Sequence, residues 1–302
     1  MQKAMRLHKM KRGRSGVRLS RSVGGTIAIA LFLLIIGAFM ALPIVYSLIQ
    51  SVKPLDEIFA YPPRFFVKHP TFDNYVQVYQ LCQSLWVPLS RYVFNSLFIA
   101  GAGTFVYVIL ASMAAFPLSK HKFPGKALIA ALIVWALLFR SEVTGISQYI
   151  IISGMGMINT YWALLLPPLA NTFGVFLMMQ FMDESRSKLL KVRPTTLAQA
   201  GRIDGATEYR MFYSVVMPAV KPAWLTLVIF TFQSFWNVTG VSFVYDESLK
   251  TLPSVLSTIS SGGLARAGAT AAVAVILLIP PIIIFIISQS SISETMAHSG
   301  LK

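Results

Sequence analysis

The chain has 302 residues, 55% hydrophobic and 12% charged, with a formal net charge of +15. A soluble globular domain is roughly a quarter charged, so the composition excludes a disordered chain and argues against an ordinary water-soluble enzyme. The single cysteine, Cys82, excludes an intrachain disulfide framework or a cysteine metal cluster.

Residues 1–24 read as a basic arm, with eight Lys and Arg up to Arg21. Ser22 to Val52 is then free of charge for 31 residues. That is about twice a signal-peptide core, and no small-residue cleavage site follows it, so it is expected to be a retained first helix at about 25–48. Tyr92 to Ser119 gives 28 uncharged residues and a second span at about 94–118. The third span, at about 127–149, runs from Ala127 to Phe139 and on past Arg140 and Glu142.

Val143 to Met182 holds 40 uncharged residues, too many for one helix, and Ser153-Gly154-Met155-Gly156-Met157-Ile158-Asn159-Thr160 in its middle reads as a turn. A fourth span follows at about 161–182. Pro222 to Tyr245 and Ala267 to Ser293, 24 and 27 residues, give the fifth at about 223–244 and the sixth at about 268–289. A bilayer core about 30 Å thick needs ~20 apolar residues in a helix, so each window can hold a span. The expected fold is all-α, a polytopic membrane protein with six transmembrane helices.

Alternating the loops from a cytoplasmic N-terminus puts 19 Lys and Arg against 5 acids inside, and 7 against 6 elsewhere. This positive-inside bias places both termini in the cytoplasm and explains the basic charge without nucleic acid.

Catalytic signals are missing. Gly125-Lys126 is followed by Ala127, so there is no phosphate-cradling loop for nucleotide hydrolysis. No G-x-S-x-G or H-E-x-x-H is present. His8, His69, His121 and His298 are scattered over separate tails and loops, and Cys82 reads as a bystander in an outer loop. The chain reads as having no active site or metal site of its own.

The inner loop at 183–222 carries more information. Thr195 or Thr196 can cap a short helix in which Ala198, Ala200 and Gly201 allow another surface to approach closely. Asp204-Gly205 is a turn signal. A second amphipathic stretch follows, with its stripe at Tyr209, Phe212, Tyr213 and Val216, and Pro218 and Pro222 end it. Such a pair either lies on the membrane or docks a partner.

Gln199-Ala200-Gly201, three residues, Gly205, nine residues, Val215, one residue and Met217-Pro218 resemble the EAA loop of binding-protein-dependent ABC importer permeases, whose pattern is Glu-Ala-Ala, three residues, Gly, nine residues, Ile, one residue, Leu-Pro. Ala-Gly-Arg-Ile-Asp-Gly-Ala at 200–206 narrows this to carbohydrate importers similar to the maltose system. Lys53-Pro54 with Phe72-Asp73-Asn74-Tyr75, Phe123-Pro124-Gly125-Lys126, Asn159-Thr160-Tyr161-Trp162 and Trp236-Asn237 resemble further parts of that subfamily, over about residues 25–300.

The resemblance implies a type I importer permease fold over 25–302, with a coupling loop at 183–222. The loop would dock in an ATP-binding subunit through Gln199, Ala200, Gly201, Asp204, Gly205 and Pro218. Gly205 would make the turn between coupling helices. Gln199 stands where the family has a glutamate, keeping hydrogen bonding but losing charge, and Gly201 replaces an alanine. The implied partners are a second permease, two ATP-binding subunits carrying ATP and Mg, an extracytoplasmic solute-binding protein, a carbohydrate and the bilayer of a bacterial or archaeal plasma membrane.

Polar residues within spans are candidates for the path: Arg140, Glu142, Asn171, Gln233, Trp236 and Asn237. Gln233 and Asn237 share a helix face with Trp236 beside them, a combination suited to holding a sugar; ordinary interhelical hydrogen bonding is the other reading. An importer for another solute, such as an amino acid or phosphate, and an ATP-independent carrier remain as alternatives. No convincing internal repeat supports the carrier.

Overall fold

The computed structural model describes residues 23–84, 86–139, 141–184, 205 and 207–299, without the side chains of 23, 141, 142, 184 and 290–299. The basic arm up to residue 22, Arg140, Gln199, Ala200, Gly201 and Asp204 lie outside the described residues, as does the first of the two expected coupling helices. Every regular element among the described residues is helical.

The chain forms two units, Met1–Tyr46 and Ser47–Lys302. The first contains most of α1 (Val23–Ser51), whose sequence is apolar on every side and long enough, at 29 residues, to cross a bilayer.

The second unit is built around α4 (Leu89–Lys120). It follows α2 (Leu55–Ile58) and α3 (Asp73–Ser84), and precedes α5 (Lys126–Ala136), α6 (Ser141–Gly154), α7 (Tyr161–Leu169) and α8 (Phe173–Glu184). Next come α9 (Glu208–Met211), a π-turn at Phe212–Val216, α10 (Met217–Ala219), α11 (Lys221–Trp236), α12 (Leu252–Ser260) and α13 (Ala267–Ser299). At about 1.5 Å per residue, α4 is long enough to span the hydrocarbon with turns to spare.

α4 packs on α8 and α11 through small residues, with Ala100, Ala111, Ser112 and Ala115 all buried. A Cβ placed on Gly103 would lie 2.5 Å from a Phe235 ring carbon, so the two helices approach more closely than alanine permits. Trp236 closes the other side of α11. Its ring stacks on Phe232, and its indole N–H donates to the Leu277 carbonyl of α13 at 3.0 Å.

Among the described residues, four helical stretches are long and apolar enough to cross a membrane: Gly24–Ser51, Leu89–Lys120, Tyr161–Asp183 and Gly263–Gln289. A fifth is bent, Glu208–Ala219 meeting Lys221–Trp236 at 83°. Six continuous spans are not found among the described residues. The expected third span is two short helices, α5 and α6, interrupted over 137–139, close in sequence to the segment's two charged residues. Charge inside a span is costly, which fits an interruption at that place. The expected fifth span ends at Trp236 and not at 244, because Val238-Thr239-Gly240 combines two β-branched residues with a glycine at φ +64°. The fourth is interrupted at 170–172, between α7 and α8.

Candidate functional site

Two regions of the second unit hold the residues that the sequence singled out. The first is the segment 205–222. Gly205 adopts φ +75°, and a Cβ there would meet nothing within 4 Å, so the backbone conformation alone asks for glycine. Thr207 caps α9 by accepting from the Arg210 N–H at 3.4 Å. The expected apolar stripe divides. Phe212 and Val216 are buried together with Met211, whereas Tyr209 and Tyr213 point outward, Tyr209 with 71% exposure.

Phe212 packs edge-to-face on Phe116 of α4 with ring centroids 5.6 Å apart, and His121 Nε2 lies 3.5 Å from Glu208 Oε2. The segment is thus attached to the end of α4. Pro218 is exposed on α10 directly after the π-turn, and Pro222 opens α11 beyond the bend. The indole N–H of Trp224 donates to the Met217 carbonyl at 3.1 Å across that bend.

The second region is a pair of open cavities, each of about 510 Å³. The polar wall of the first comes from Gln148, Asn171, Ser234, Asn237, Thr239 and Ser242. The second is lined by Leu137, Phe139, Thr144, Ala170 and Thr172, and shares Gln148, Pro167 and Asn171 with the first. The helix interruptions at 137–139, 170–172 and 237–243 all contribute to these walls. Irregular backbone at membrane depth is tolerated where it is buried in protein or lines a watery cavity, which fits this arrangement. Pro167 and Pro168 also remove the usual helical donors to the carbonyls of Ala163 and Leu164, both of which line the first cavity.

Of the expected path residues, Asn171 and Asn237 meet at the first cavity. Gln233 is exposed on α11 but lines neither cavity, and Trp236, only 2% exposed, belongs to the core. Glu142 lies at the start of α6 and its side chain is not described; Arg140 lies outside the described residues. Gln148 was missed, and its only sequence signal was an amide within an uncharged window.

The segment 237–251 is held in place by two amides, one buried and one exposed, that sequence reading did not single out for this role. Asn95, fully buried in α4, donates through Nδ2 to the carbonyls of Ser248 (2.8 Å) and Lys250 (2.9 Å) and accepts from the Tyr161 hydroxyl (2.8 Å). The Tyr92 hydroxyl donates to Glu247, which also pairs with Lys250. Asn159, at φ +60°, accepts from the Tyr245 and Asp246 N–H groups through Oδ1. The Ser248 N–H, donating to the Asp246 carboxylate, holds that carboxyl below its ordinary value. Farther along the surface, the Lys68 and His69 N–H groups do the same for Glu57.

No protein-family model matches the chain. The Bacillus subtilis (strain 168) protein described as "Probable ABC transporter permease protein YurM" is 27% identical over 290 residues, covering 92% of this chain and 89% of the relative. The Bacillus subtilis (strain 168) "Arabinooligosaccharides transport system permease protein AraQ" is 25% identical, covering 91% of this chain and 95% of the relative. A chain from the crystal structure of "a bacterial ABC transporter involved in the import of the acidic polysaccharide alginate" has the same fold, with a TM-score of 0.71 at 20% identity, over 89% of this chain and 98% of that one. The relatives are permeases, not ATP-binding subunits. The chain is a multi-pass membrane protein and a homologue of ABC transporter permeases.

Proposed function

We propose that the chain is the permease subunit of an ATP-driven importer that moves a carbohydrate, an oligosaccharide by preference, across a bacterial or archaeal plasma membrane. One observation carries the reading: α4 is attached at one end to the exposed bent segment that follows Gly205 and packs on α7 and α11, both of which line the first cavity. A push on the segment therefore has a rigid element to travel through. The carbohydrate assignment rests on the resemblance of the 199–218 segment and on relatives such as the arabinooligosaccharide permease.

In this reading there are six crossings. α5 with α6 makes the third, and α11 with its bent approach makes the fifth; both termini are cytoplasmic, as the distribution of basic residues requires. Gln199, Ala200, Gly201, Asp204, Gly205 and Pro218 dock an ATP-binding subunit, and two such subunits supply ATP and Mg. A second permease faces the open cavities. A binding protein delivers the solute to Asn171 and Asn237, with Arg140 and Glu142 falling in sequence between the lining residues Phe139 and Thr144.

The test is mass spectrometry of what co-purifies with the tagged chain from native membranes in mild detergent. A second permease and an ATP-binding subunit in near-stoichiometric amounts are expected. A stable chain recovered alone, with solute flux indifferent to ATP, would sink the importer and favour a carrier.

A further inference from the structure

We infer that Tyr107 of α4 is a positioning residue for transport: its hydroxyl ties the break between α7 and α8 to α4, so that Asn171 on the cavity wall moves with that helix. This rests on the reading of the chain as an importer permease.

The break creates the need for a partner. Pro167 and Pro168 carry no N–H, and α8 begins afresh at Phe173, so its first N–H groups have no partner inside the helix. Two side chains serve them. Asn171 Oδ1 accepts from the Phe173 N–H at 2.8 Å, and the Tyr107 hydroxyl oxygen accepts from the Gly174 N–H at 2.9 Å. The same hydroxyl donates to the Asn171 carbonyl at 2.6 Å. One group from α4 thus bonds a carbonyl within the break and an N–H of the first turn after it. Gly174 is buried, so water does not stand in for the hydroxyl there.

The fit around the ring is close. A Cβ on Gly174 would lie 2.4 Å from a Tyr107 ring carbon, so the glycine is what lets the ring reach the backbone. Tyr107 is buried and lines neither of the two cavities, whereas Asn171 lines both, and Ala170 and Thr172 line the second. The tyrosine therefore acts on the path through the backbone it holds, and not by touching solute.

Its place along α4 suits this role. Asn95, about three turns before it, holds the carbonyls of Ser248 and Lys250. Phe116, nine residues after it and so about 14 Å along the helix, packs on Phe212. A displacement applied at Phe116 reaches Tyr107 through one helix, and reaches Asn171 through a single hydroxyl.

The test uses the assembled importer and its binding protein in liposomes, with Ala170→Cys as reporter and a membrane-impermeant thiosulfonate as probe. Ala170 is exposed on the wall of the second cavity, and Cys82, the sole native cysteine, is buried, so the background is low. With Tyr107 in place, a non-hydrolysable ATP analogue is expected to change the labelling rate by about fivefold or more. Tyr107→Phe keeps the ring and removes both bonds. It is expected to reduce that change to under about twofold and to lower the solute taken up per ATP hydrolysed by about tenfold. Gly174→Ala keeps the hydroxyl but displaces the ring, and is expected to act in the same direction.

A tyrosine that serves stability alone would lower uptake and hydrolysis in proportion, leaving their ratio and the labelling response as in the parent. That result overturns the inference while leaving the importer standing. So does a labelling response kept above about twofold in Tyr107→Phe, a ratio within about threefold of the parent, or no response with Tyr107 in place. Parent uptake indifferent to ATP overturns the importer reading and the inference with it.

Discussion

The segment 205–222 and the walls of the two cavities are opposite kinds of construction. The segment is local: a glycine turn, a threonine cap, a buried pair of apolar side chains and two prolines follow one another within eighteen positions. The cavity walls are assembled from three interruptions more than sixty residues apart in their extremes, and a fully buried asparagine from a fourth helix holds one of them. A surface built to be grasped by a partner can be encoded in a short run. A surface built to admit a solute needs freed backbone and amide groups from several helices at once.

The largest expected effect breaks the link between the two regions. Phe212→Ala empties the ring that packs on Phe116, and truncating a buried phenylalanine costs about 3–5 kcal/mol. Thermal unfolding in detergent is expected to shift down accordingly. In the assembled protein, ATP hydrolysis is expected to persist while solute uptake falls.

Asn95→Leu attacks the other region. The Lys250 carbonyl loses its partner, the Ser248 carbonyl keeps only Arg91 Nε at 3.3 Å, and the Tyr161 hydroxyl loses its acceptor, with about 1–3 kcal/mol as the cost of a buried polar group left unsatisfied. The segment 237–251 is expected to become cleavable by protease from the outside, and intact protection there would contradict the clamp.

Gly205→Ala tests backbone geometry by itself, because the added methyl meets nothing. A left-handed conformation costs an ordinary residue about 1–2 kcal/mol, so affinity for the ATP-binding subunit is expected to fall by about tenfold, measured by co-purification at graded dilution, with cavity labelling unchanged.

The smallest effect lies in the outer loop. Bonds from the Lys68 and His69 N–H groups hold Glu57 below its ordinary value of 4.5. The lowered value means that the contribution is complete above that pH and disappears as pH falls through the folded value. Hydrogen exchange at Lys68 and His69, corrected for intrinsic rates, is expected to be protected at neutral pH and to lose protection only as pH falls below the ordinary carboxylate range, and Glu57→Gln is expected to abolish the dependence.

Sequence legibility follows the same division. Gly205, the Asp204-Gly205 turn signal and the two prolines lie in one local pattern, so the residue types alone mark the turn and the bend. Four of the expected spans correspond to long helical stretches because uncharged length is itself the signal. The third and fifth do not, because helix breaks leave length and hydropathy almost unchanged while altering what the backbone can donate and accept.

Asn171 and Asn237 were found by their polarity within spans. Polarity could not separate them from Trp236, which the fold turns into the core, or reveal Gln148, which lines one cavity together with residues of α7 only in the folded chain. Phe212 and Tyr213 are adjacent in one stripe, yet only the first packs on α4, because neighbouring residues on a helix point in different directions.

The account's central claim is that work applied at 205–222 moves solute past the cavities. The most direct measurement is solute uptake into liposomes containing the assembled complex and its binding protein, with and without ATP on the side of that segment, for the parent and for Phe212→Ala. The account predicts uptake that requires ATP in the parent and is lost in the variant while hydrolysis continues. Uptake at the same rate without ATP, or uptake in the variant that matches the parent, would contradict it.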